Sequence, residues 1–319
     1  MTVLLLLAGL VMLYYGAEFL VKGSSHLAFK LGVTPLLIGL TIVACGTSMP
    51  ELIVSLDAAA AGKGDIAVGN VVGSNICNIA FILGLASVIA PLKVKSQLIK
   101  FDAPVMIFST LLCCVFLANG NIGRYEAGAM FVLFIAYNLV NIKIARLQNL
   151  SGKDVASEEE LDFKNTKSLI HRSLGLQIAF IVGGLLILVA GSKCLVYSAT
   201  KIALWMGVSE AVIGLTIVAI GTSLPELATS VVAAIKKEAD IAIGNIVGSN
   251  IFNILGILGL SGMIVPIKAP GIKSLDLYTM MILAILLLPF MWTRKTISRT
   301  EGFVFISIYA LYIVILAIR

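Results

Sequence analysis

Charged side chains are scarce in this sequence: Asp, Glu, Lys and Arg make up 13% of its 319 residues, while 59% are hydrophobic. The mean hydropathy of +1.05 is far above that of a domain with a solvated surface. This shortage of charge excludes an ordinary soluble protein and indicates a membrane protein. The net charge of +6 implies no nucleic acid partner, because in membrane proteins the distribution of Lys and Arg among the loops matters more.

Histidine is nearly absent, and the cysteines lack the spacing of a metal site. The chain has two His and five Cys, and every Cys lies in an apolar segment, where it behaves as a small hydrophobe. Neither a zinc or copper site nor a disulfide framework is therefore expected. A nucleophile with its base is also missing, so we expect no enzyme and no cofactor. The first apolar stretch has no basic n-region and is interpreted as a span, not a signal peptide.

Ten apolar stretches are long enough to cross a bilayer, and they are numbered here as the first to tenth spans. They are 2–22, 33–62, 65–90, 102–118, 124–145, 173–196, 208–235, 240–265, 275–292 and 301–318. If the loop after the first span is cytoplasmic, 16 of the 23 Lys and Arg fall on the cytoplasmic side. The positive-inside rule then predicts extracellular or periplasmic termini and a cytoplasmic 146–172 loop.

Two long segments recur at an offset of 175 residues. GLTIVACGTSMPELIVS at 39–55 matches GLTIVAIGTSLPELATS at 214–230 at 13 of 17 positions. DIAVGNVVGSNICNIAFILGLA at 65–86 matches DIAIGNIVGSNIFNILGILGLS at 240–261 at 16 of 22. Because each copy holds five spans, the second must enter the membrane in the opposite orientation, as in many secondary transporters. This predicts two inverted five-helix repeats, 1–146 and 173–319, joined by a cytoplasmic linker at 147–172.

A proline lies near the middle of both the second and the seventh spans. Pro50 leaves the carbonyl of Gly46 without its helical partner, and Pro225 does the same to Gly221. An unwound joint is tolerated in a membrane only where it is packed in protein or lines a wet cavity. The predicted fold is all-helical, with the second, third, seventh and eighth helices broken.

Ionisable and polar side chains follow these prolines. S-x-x-E with a proline is also a capping box, but a charge at the bilayer centre costs roughly 3 kcal/mol or more, which a cap does not require. We therefore interpret Glu51 and Glu226 as cation ligands. Helical spacing places more oxygen-bearing side chains on shared helix faces. Thr47 lies one turn before Glu51 and Thr222 one turn before Glu226, and the same spacing relates Ser74 to Asn78 and Ser249 to Asn253. This all-oxygen set suits Ca²⁺, which takes six to eight oxygen ligands.

The two glutamates also suggest how exchange works. Placed close together in a low dielectric, they cannot both stay ionised without a counter-charge. One Ca²⁺ or two Na⁺ would neutralise the pair, which makes their occupancies mutually exclusive. The favoured function is Ca²⁺/Na⁺ antiport. Ca²⁺/H⁺ antiport remains an alternative, and a cation channel or an intramembrane enzyme is a more distant one.

Other polar residues receive local interpretations. Asp65 and Asp240 are interpreted as N-caps of the third and eighth spans, and Glu18 as a partner of Lys22. Four asparagines are expected to pack between helices: Asn70, Asn75, Asn245 and Asn250. His26 and His171 are expected to be solvated in cytoplasmic loops.

With these motifs in place, the sequence resembles the calcium/cation antiporter superfamily, specifically prokaryotic sodium/calcium exchangers. The resemblance rests on GTSMPE at 46–51 with GNVVGSNICN at 69–78, and on GTSLPE at 221–226 with GNIVGSNIFN at 244–253. It implies a ten-helix fold in the plasma (inner) membrane, with first and sixth helices that slide to alternate access. It also implies the ligands Thr47, Ser48, Glu51, Ser74, Asn78, Thr222, Ser223, Glu226, Ser249 and Asn253, with backbone carbonyls at Ala44 and Ala219.

The resemblance further implies that Ca²⁺ and Na⁺ are the transported ions, with the inward Na⁺ gradient expelling Ca²⁺. Asn253 stands where potassium-dependent relatives carry an aspartate, which weighs against K⁺ coupling and leaves two acids in the cage. The linker is too short for the regulatory domains of animal relatives. We expect no partner beyond the ions and the lipid bilayer.

Overall fold

The computed structural model describes residues 2–151, 173–207 and 219–318. Within these ranges, eight helices are individually long and apolar enough to cross a membrane, and the second span adds a helix pair bent by 48°. The bounds, in chain order, are Thr2–Leu31, Pro35–Thr47 with Met49–Ala60, Gly64–Ile89, Leu98–Asn119, Arg124–Leu147, Leu174–Trp205, Leu224–Ile235, Ala239–Ile264, Ser274–Lys295 and Arg299–Leu316. The start of the seventh span and most of the linker lie outside the described residues, so ten crossings and the linker remain predictions.

The second and seventh spans are broken where the prolines predict. The second span changes direction at Ser48, between Pro35–Thr47 and Met49–Ala60. In the seventh, the helical turn Ala219–Gly221 ends before Leu224–Ile235 begins, with Pro225 in its first turn. A proline is compatible with the first turn of a helix because its missing N–H has no partner there. Both breaks are therefore confirmed.

The third and eighth spans instead run as continuous helices with a wider turn in the middle. Cys77–Leu83 and Phe252–Leu258 are π-helical, and each has regular α-helix on both sides. Neither span contains a proline, so nothing forces the chain to separate into two halves. Asn78 and Asn253 lie in these wide turns, a local geometry that recurs at functional sites.

The first and sixth helices pack against each other in antiparallel fashion along glycine faces. A Cβ on Gly184 would lie 2.7 Å from the carbonyl oxygen of Gly16, and one on Gly9 would lie 3.0 Å from that of Gly191. These distances leave no room for a side chain, so the two backbones are in direct contact. Such close approach through small residues is typical of helix pairs in membranes.

The first helix continues to Leu31, beyond the predicted end at residue 22. Residues 23–28 of this extension are buried, including His26, whose Nδ1 lies 2.6 Å from the carbonyl oxygen of Lys22 in an i to i−4 hydrogen bond. The expectation of a solvated His26 is therefore wrong: hydropathy ends the span where the helix turns polar, yet tertiary packing covers that turn. His171 lies outside the described residues.

Two short strand pairs, called the clips here, join the halves of the chain. β1 (Leu92–Lys93) pairs with β4 (Thr296–Ile297), and β2 (Asn121–Ile122) pairs with β3 (Ile267–Lys268), both antiparallel. Each clip links a loop of the first repeat to a loop of the second. The predicted topology places β1 and β4 on the cytoplasmic side and β2 and β3 on the other. In the described ranges the clips join loops that flank the third to fifth and the eighth to tenth spans, and neither clip adjoins the first or sixth helix.

Three charged residues have distant partners in place of the local ones expected. The helix of the third span begins after Lys63, and Asp65 Oδ1 accepts a hydrogen bond of 2.7 Å from Gly271 N. Asp240 likewise does not cap its helix; its carboxylate lies 2.7 Å from the Lys95 ammonium. Glu18 forms an ion pair of 2.7 Å with Lys236, not with Lys22. The two aspartates are not N-caps because their helices begin at Gly64 and Ala239, and the partners of all three residues come from distant parts of the chain.

Candidate functional site

The two breaks place Glu51 and Glu226 inside the molecule. Each acid lies in the first turn of the half-helix that follows its break, and the side chains of both are 0% exposed. The N-terminus of a helix carries a partial positive charge, which favours a nearby anionic group. The broken spans thus bury two carboxyl groups, each at a helix end suited to negative charge.

Each acid is held by a serine from the other half of the chain. Ser48 Oγ donates to Glu226 Oε1 at 2.8 Å, and Ser223 Oγ donates to Glu51 Oε1 at 3.0 Å. Since both serines lie at the breaks, these two bonds bring the second and seventh spans face to face. The sequence-predicted pair of glutamates therefore belongs to one site.

Hydroxyl groups of four spans surround the acids. Ser223 Oγ lies 3.3 Å from Ser74 Oγ, which joins the seventh span to the third. Ser249 Oγ donates to the Ala44 carbonyl oxygen at 3.4 Å, which joins the eighth span to the second. Thr47 Oγ1 donates to the Ala44 carbonyl oxygen at 3.3 Å and to Asn245 Oδ1 at 3.0 Å. The second, third, seventh and eighth spans thus meet at one polar centre.

The asparagines of the π-helical turns bond across the centre through their amino groups. Asn78 Nδ2 donates to Asn250 Oδ1 at 3.1 Å, and Asn253 Nδ2 donates to Asn75 Oδ1 at 3.0 Å. Each of these bonds joins one repeat to the other. The amide oxygens of Asn78 and Asn253 accept no hydrogen bond and remain available as ligands.

Five buried oxygens of the predicted ligands have no hydrogen-bond partner: Glu51 Oε2, Glu226 Oε2, Asn78 Oδ1, Asn253 Oδ1 and Thr222 Oγ1. Buried polar atoms are nearly always partnered, so such a concentration requires an explanation. Oxygen is the donor type that hard cations take. In the described residues no group of three or more His, Cys, Asp or Glu side chains could hold a metal ion. The centre is thus two acids among neutral oxygens, which does not suit a softer metal.

Two further predicted ligands lie at the seventh break. Thr222 is half-buried in the turn beside the fully buried Ser223, and its hydroxyl oxygen is buried without a hydrogen-bond partner. Ala219 lies in the helical turn Ala219–Gly221 that precedes the break. Both lie next to the centre along the chain, and their role as ligands stays a prediction.

A supporting pair of asparagines fixes the backbone at the two acids. Asn70 Nδ2 donates to the Glu51 carbonyl oxygen at 3.1 Å and to Ser55 Oγ at 2.9 Å. Asn245 Nδ2 donates to Ser230 Oγ at 3.0 Å and to the Glu226 carbonyl oxygen at 3.5 Å. These asparagines pack between helices as predicted. The signal for their closer role was present in the sequence, because the Asn and the Ser recur together at the repeat offset.

The fold and this site define a multi-pass membrane protein that transports cations. A sequence profile described as "Sodium/calcium exchanger protein" matches residues 1–143 and 176–318. The chain belongs to this sodium/calcium exchanger family, whose members are transporters and not enzymes.

Several known proteins are similar over nearly the whole chain. The putative antiporter CaxA of Alkalimonas amylolytica is 41% identical over 311 residues, covering 96% of this chain and 95% of that protein. The inner membrane protein YrbG of Escherichia coli is 38% identical, with coverage of 91% and 89%. The sodium/calcium exchanger MaX1 of Methanosarcina acetivorans is 36% identical, with coverage of 98% and 97%.

A solved structure has the same fold. The sodium-calcium exchanger NCX_Mj, soaked with Na⁺ and Ca²⁺, matches with a TM-score of 0.83 and 31% sequence identity. The match covers 98% of this chain and 97% of that structure.

Proposed function

We propose that the protein is a secondary active antiporter that exchanges Ca²⁺ for Na⁺ by alternating access and expels Ca²⁺ on the Na⁺ gradient. The observation that carries the proposal is the pair of glutamates, each held across the repeat boundary through Oε1 and each with a buried Oε2 that has no hydrogen-bond partner. A cation between them would satisfy both oxygens.

Each proposed ion ligand contributes one or more oxygen atoms at the centre or next to it. They are the side chains of Thr47, Ser48, Glu51, Ser74, Asn78, Thr222, Ser223, Glu226, Ser249 and Asn253, with the carbonyls of Ala44 and Ala219. Two carboxylates match the charge of one Ca²⁺ or of two Na⁺. Ca²⁺ and Na⁺ compete because both need the same pair of acids, and this competition is the physical requirement for coupled exchange.

The proposed moving elements are the first and sixth helices. They contact each other through glycine faces, whereas the clips join loops that flank the third to fifth and the eighth to tenth spans. Direct backbone contact along the glycine faces favours movement of the two helices as one unit. Movement of this pair across the centre would open it to one side of the membrane at a time.

The proposal agrees with the proteins to which the chain is similar. One relative is named a sodium/calcium exchanger, and the structural match was soaked with Na⁺ and Ca²⁺. The Escherichia coli relative is named an inner membrane protein. We place this chain in the plasma (inner) membrane with both termini outside and the 146–172 loop in the cytoplasm, working without an obligate protein partner.

The test is a flux measurement on purified protein in liposomes. Radioactive Ca²⁺ uptake is measured with an imposed Na⁺ gradient and the pH clamped equal on both sides. Uptake that requires internal Na⁺ is expected, and Glu226→Gln abolishes it. Uptake driven by a pH gradient but indifferent to Na⁺ would instead establish Ca²⁺/H⁺ antiport, and flux that never saturates would establish a channel.

A further inference from the structure

A third fully buried acid lies outside the glutamate centre. Asp102 is 0% exposed and ends the π-helical segment Leu98–Asp102 at the start of the fourth span. Its Oδ1 accepts hydrogen bonds from Tyr137 Oη at 2.9 Å and from Asn141 Nδ2 at 3.2 Å. Gln97 Nε2 donates to Asn141 Oδ1 at 2.9 Å. These four residues are called the Asp102 cluster.

The hydrogen-bond donors to Asp102 are neutral groups, and they leave one carboxyl oxygen without a partner. Tyr137 and Asn141 donate to Oδ1, whereas the buried Oδ2 has no hydrogen-bond partner. At the two central glutamates, such an oxygen lies among other unpartnered oxygens that could share a cation. Beside Asp102, the amide oxygen of Asn141 instead accepts from Gln97. A proton is therefore the positive charge that fits this cluster, and it would lie on Oδ2.

No basic side chain neutralises Asp102 in the part of the chain that the structure describes. Lys95 is paired with Asp240, Lys295 donates to Ser96 Oγ at 3.3 Å, and Lys100 is exposed. The titratable groups that adjoin the cluster from the fifth and second spans are Tyr137 and Cys45, neither of which is a cation. A buried carboxylate without a counter-charge costs several kcal/mol, which a bound proton removes.

The second repeat contains a simpler version of the same contact. Tyr312 Oη donates to Asp276 Oδ1 at 3.1 Å, again between the start of one span and the following span. Asp276 is only half-buried. The positions that correspond to Gln97 and Asn141 are Ile272 and Leu316. Both copies thus have a hydrogen bond from a tyrosine to an aspartate of a neighbouring helix. Only in the first copy is the aspartate fully buried and accompanied by the amides of Gln97 and Asn141.

We propose that Asp102 is a proton-binding site, separate from the cation centre, that exchanges its proton at the membrane face where the half-exposed Gln97 lies. On release, the O–H bond at Oδ2 breaks and the proton passes to water at that face. The electron pair stays on the carboxylate, for which the amides of Asn141 and Gln97 and the phenol of Tyr137 are the donors. The protein thus holds a titratable proton that the Ca²⁺/Na⁺ cycle does not use.

Infrared difference spectroscopy of the protein in lipid nanodiscs, recorded over a pH titration, tests this site. The C=O stretch of one protonated carboxyl group is expected to be lost in Asp102→Asn and retained in the matched control Asp276→Asn. Spectra with and without Ca²⁺ separate this band from the bands of Glu51 and Glu226, because only the latter should respond to the ion. Wild type and Asp102→Asn with identical protonated-carboxyl bands would overturn the proposal.

Tyr137→Phe provides a second readout that does not depend on the folding of Asp102→Asn. It keeps the ring that stacks on Phe101, with centroids 6.0 Å apart, and removes only the hydroxyl donor. The Asp102 C=O band should then shift to higher wavenumber, since its carbonyl oxygen accepts one hydrogen bond fewer. Protonated-carboxyl bands identical in Tyr137→Phe and wild type would mean that none of them comes from Asp102, which would then be ionised and serve only to join two helices.

Discussion

The two copies of the repeat agree at the centre of the molecule and differ toward its faces. At the centre, Ser48 holds Glu226 and Ser223 holds Glu51, with nearly equal distances. Near the faces, Asp65 bonds a backbone N–H, whereas its counterpart Asp240 bonds a lysine. An ion site shared by both copies constrains the two equally, while the loops at each face are free to take different partners.

The largest expected effect comes from the two central acids. Glu51→Gln and Glu226→Gln should each lower Na⁺-dependent Ca²⁺ flux on the order of 100-fold or more, since changes beside a metal ligand alone cost about 10- to 100-fold. The matched control is Glu126→Gln, because Glu126 accepts from Gly123 N at 2.6 Å near a helix start, where glutamine also serves. Full activity in either central variant would mean that the two copies are not equivalent.

The serines that hold the acids should have the next largest effect. Ser48→Ala and Ser223→Ala each remove one hydroxyl from a glutamate of the opposite copy, so the apparent Ca²⁺ affinity should fall by about tenfold. Isothermal binding titration measures the affinity, with Ser109→Ala as the control, because that serine bonds only the Val105 carbonyl. Losses that differ strongly between the two variants would show that one copy dominates binding.

Contact between the first and sixth helices can be tested at adjacent glycines. Gly184→Ala places a Cβ 2.7 Å from the Gly16 carbonyl oxygen, and overpacking of this kind costs about 1–3 kcal/mol. Gly183→Ala is the control, because its Cβ would meet no described atom within 4 Å. The thermal midpoint in detergent should fall for Gly184→Ala alone. Equal midpoints would mean that the helix contact is looser than described.

The smallest effect is expected where the faces differ. Lys95→Met removes the ion pair with Asp240, whose partners are 38% and 18% exposed, so the loss of stability should be about 1 kcal/mol or less and should vanish at high salt. Asp65→Asn keeps an oxygen that can accept from Gly271 N, and its effect should not depend on salt. Chemical denaturation at low and high NaCl concentration measures the stability of both variants. Equal salt dependence in Lys95→Met and Asp65→Asn would mean that the Asp240 and Asp65 contacts do not differ in kind.

The breaks and the central site could be predicted because their causes are short in range. Pro50 and Pro225 interrupt their spans wherever the rest of the chain lies, and the repeat shows that both copies carry the same polar residues. The third and eighth spans contain no proline, which accounts for their continuity. Their π-helical turns do not follow from this absence, since the second span contains prolines and also has a π-helical turn, at Gly39–Val43.

Partners that come from distant parts of the chain could not be predicted in the same way. Helical spacing predicts that Glu18 pairs with Lys22, one turn away, but its partner Lys236 lies within reach only after folding. The repeat does not predict the Asp102 cluster for a related reason. Asp276 follows Asp102 by 174 residues and Tyr312 follows Tyr137 by 175, so a comparison without gaps does not align both pairs.

The crossed bonds between serines and glutamates have a consequence for how the chain could be divided. A fragment ending near residue 146 would bury Glu51 without Ser223, and the complementary fragment would bury Glu226 without Ser48. Produced together in one cell, the fragments could restore both bonds and both clips, none of which needs a continuous backbone. Each fragment is thus expected to be unstable alone and to be stabilised by binding the other.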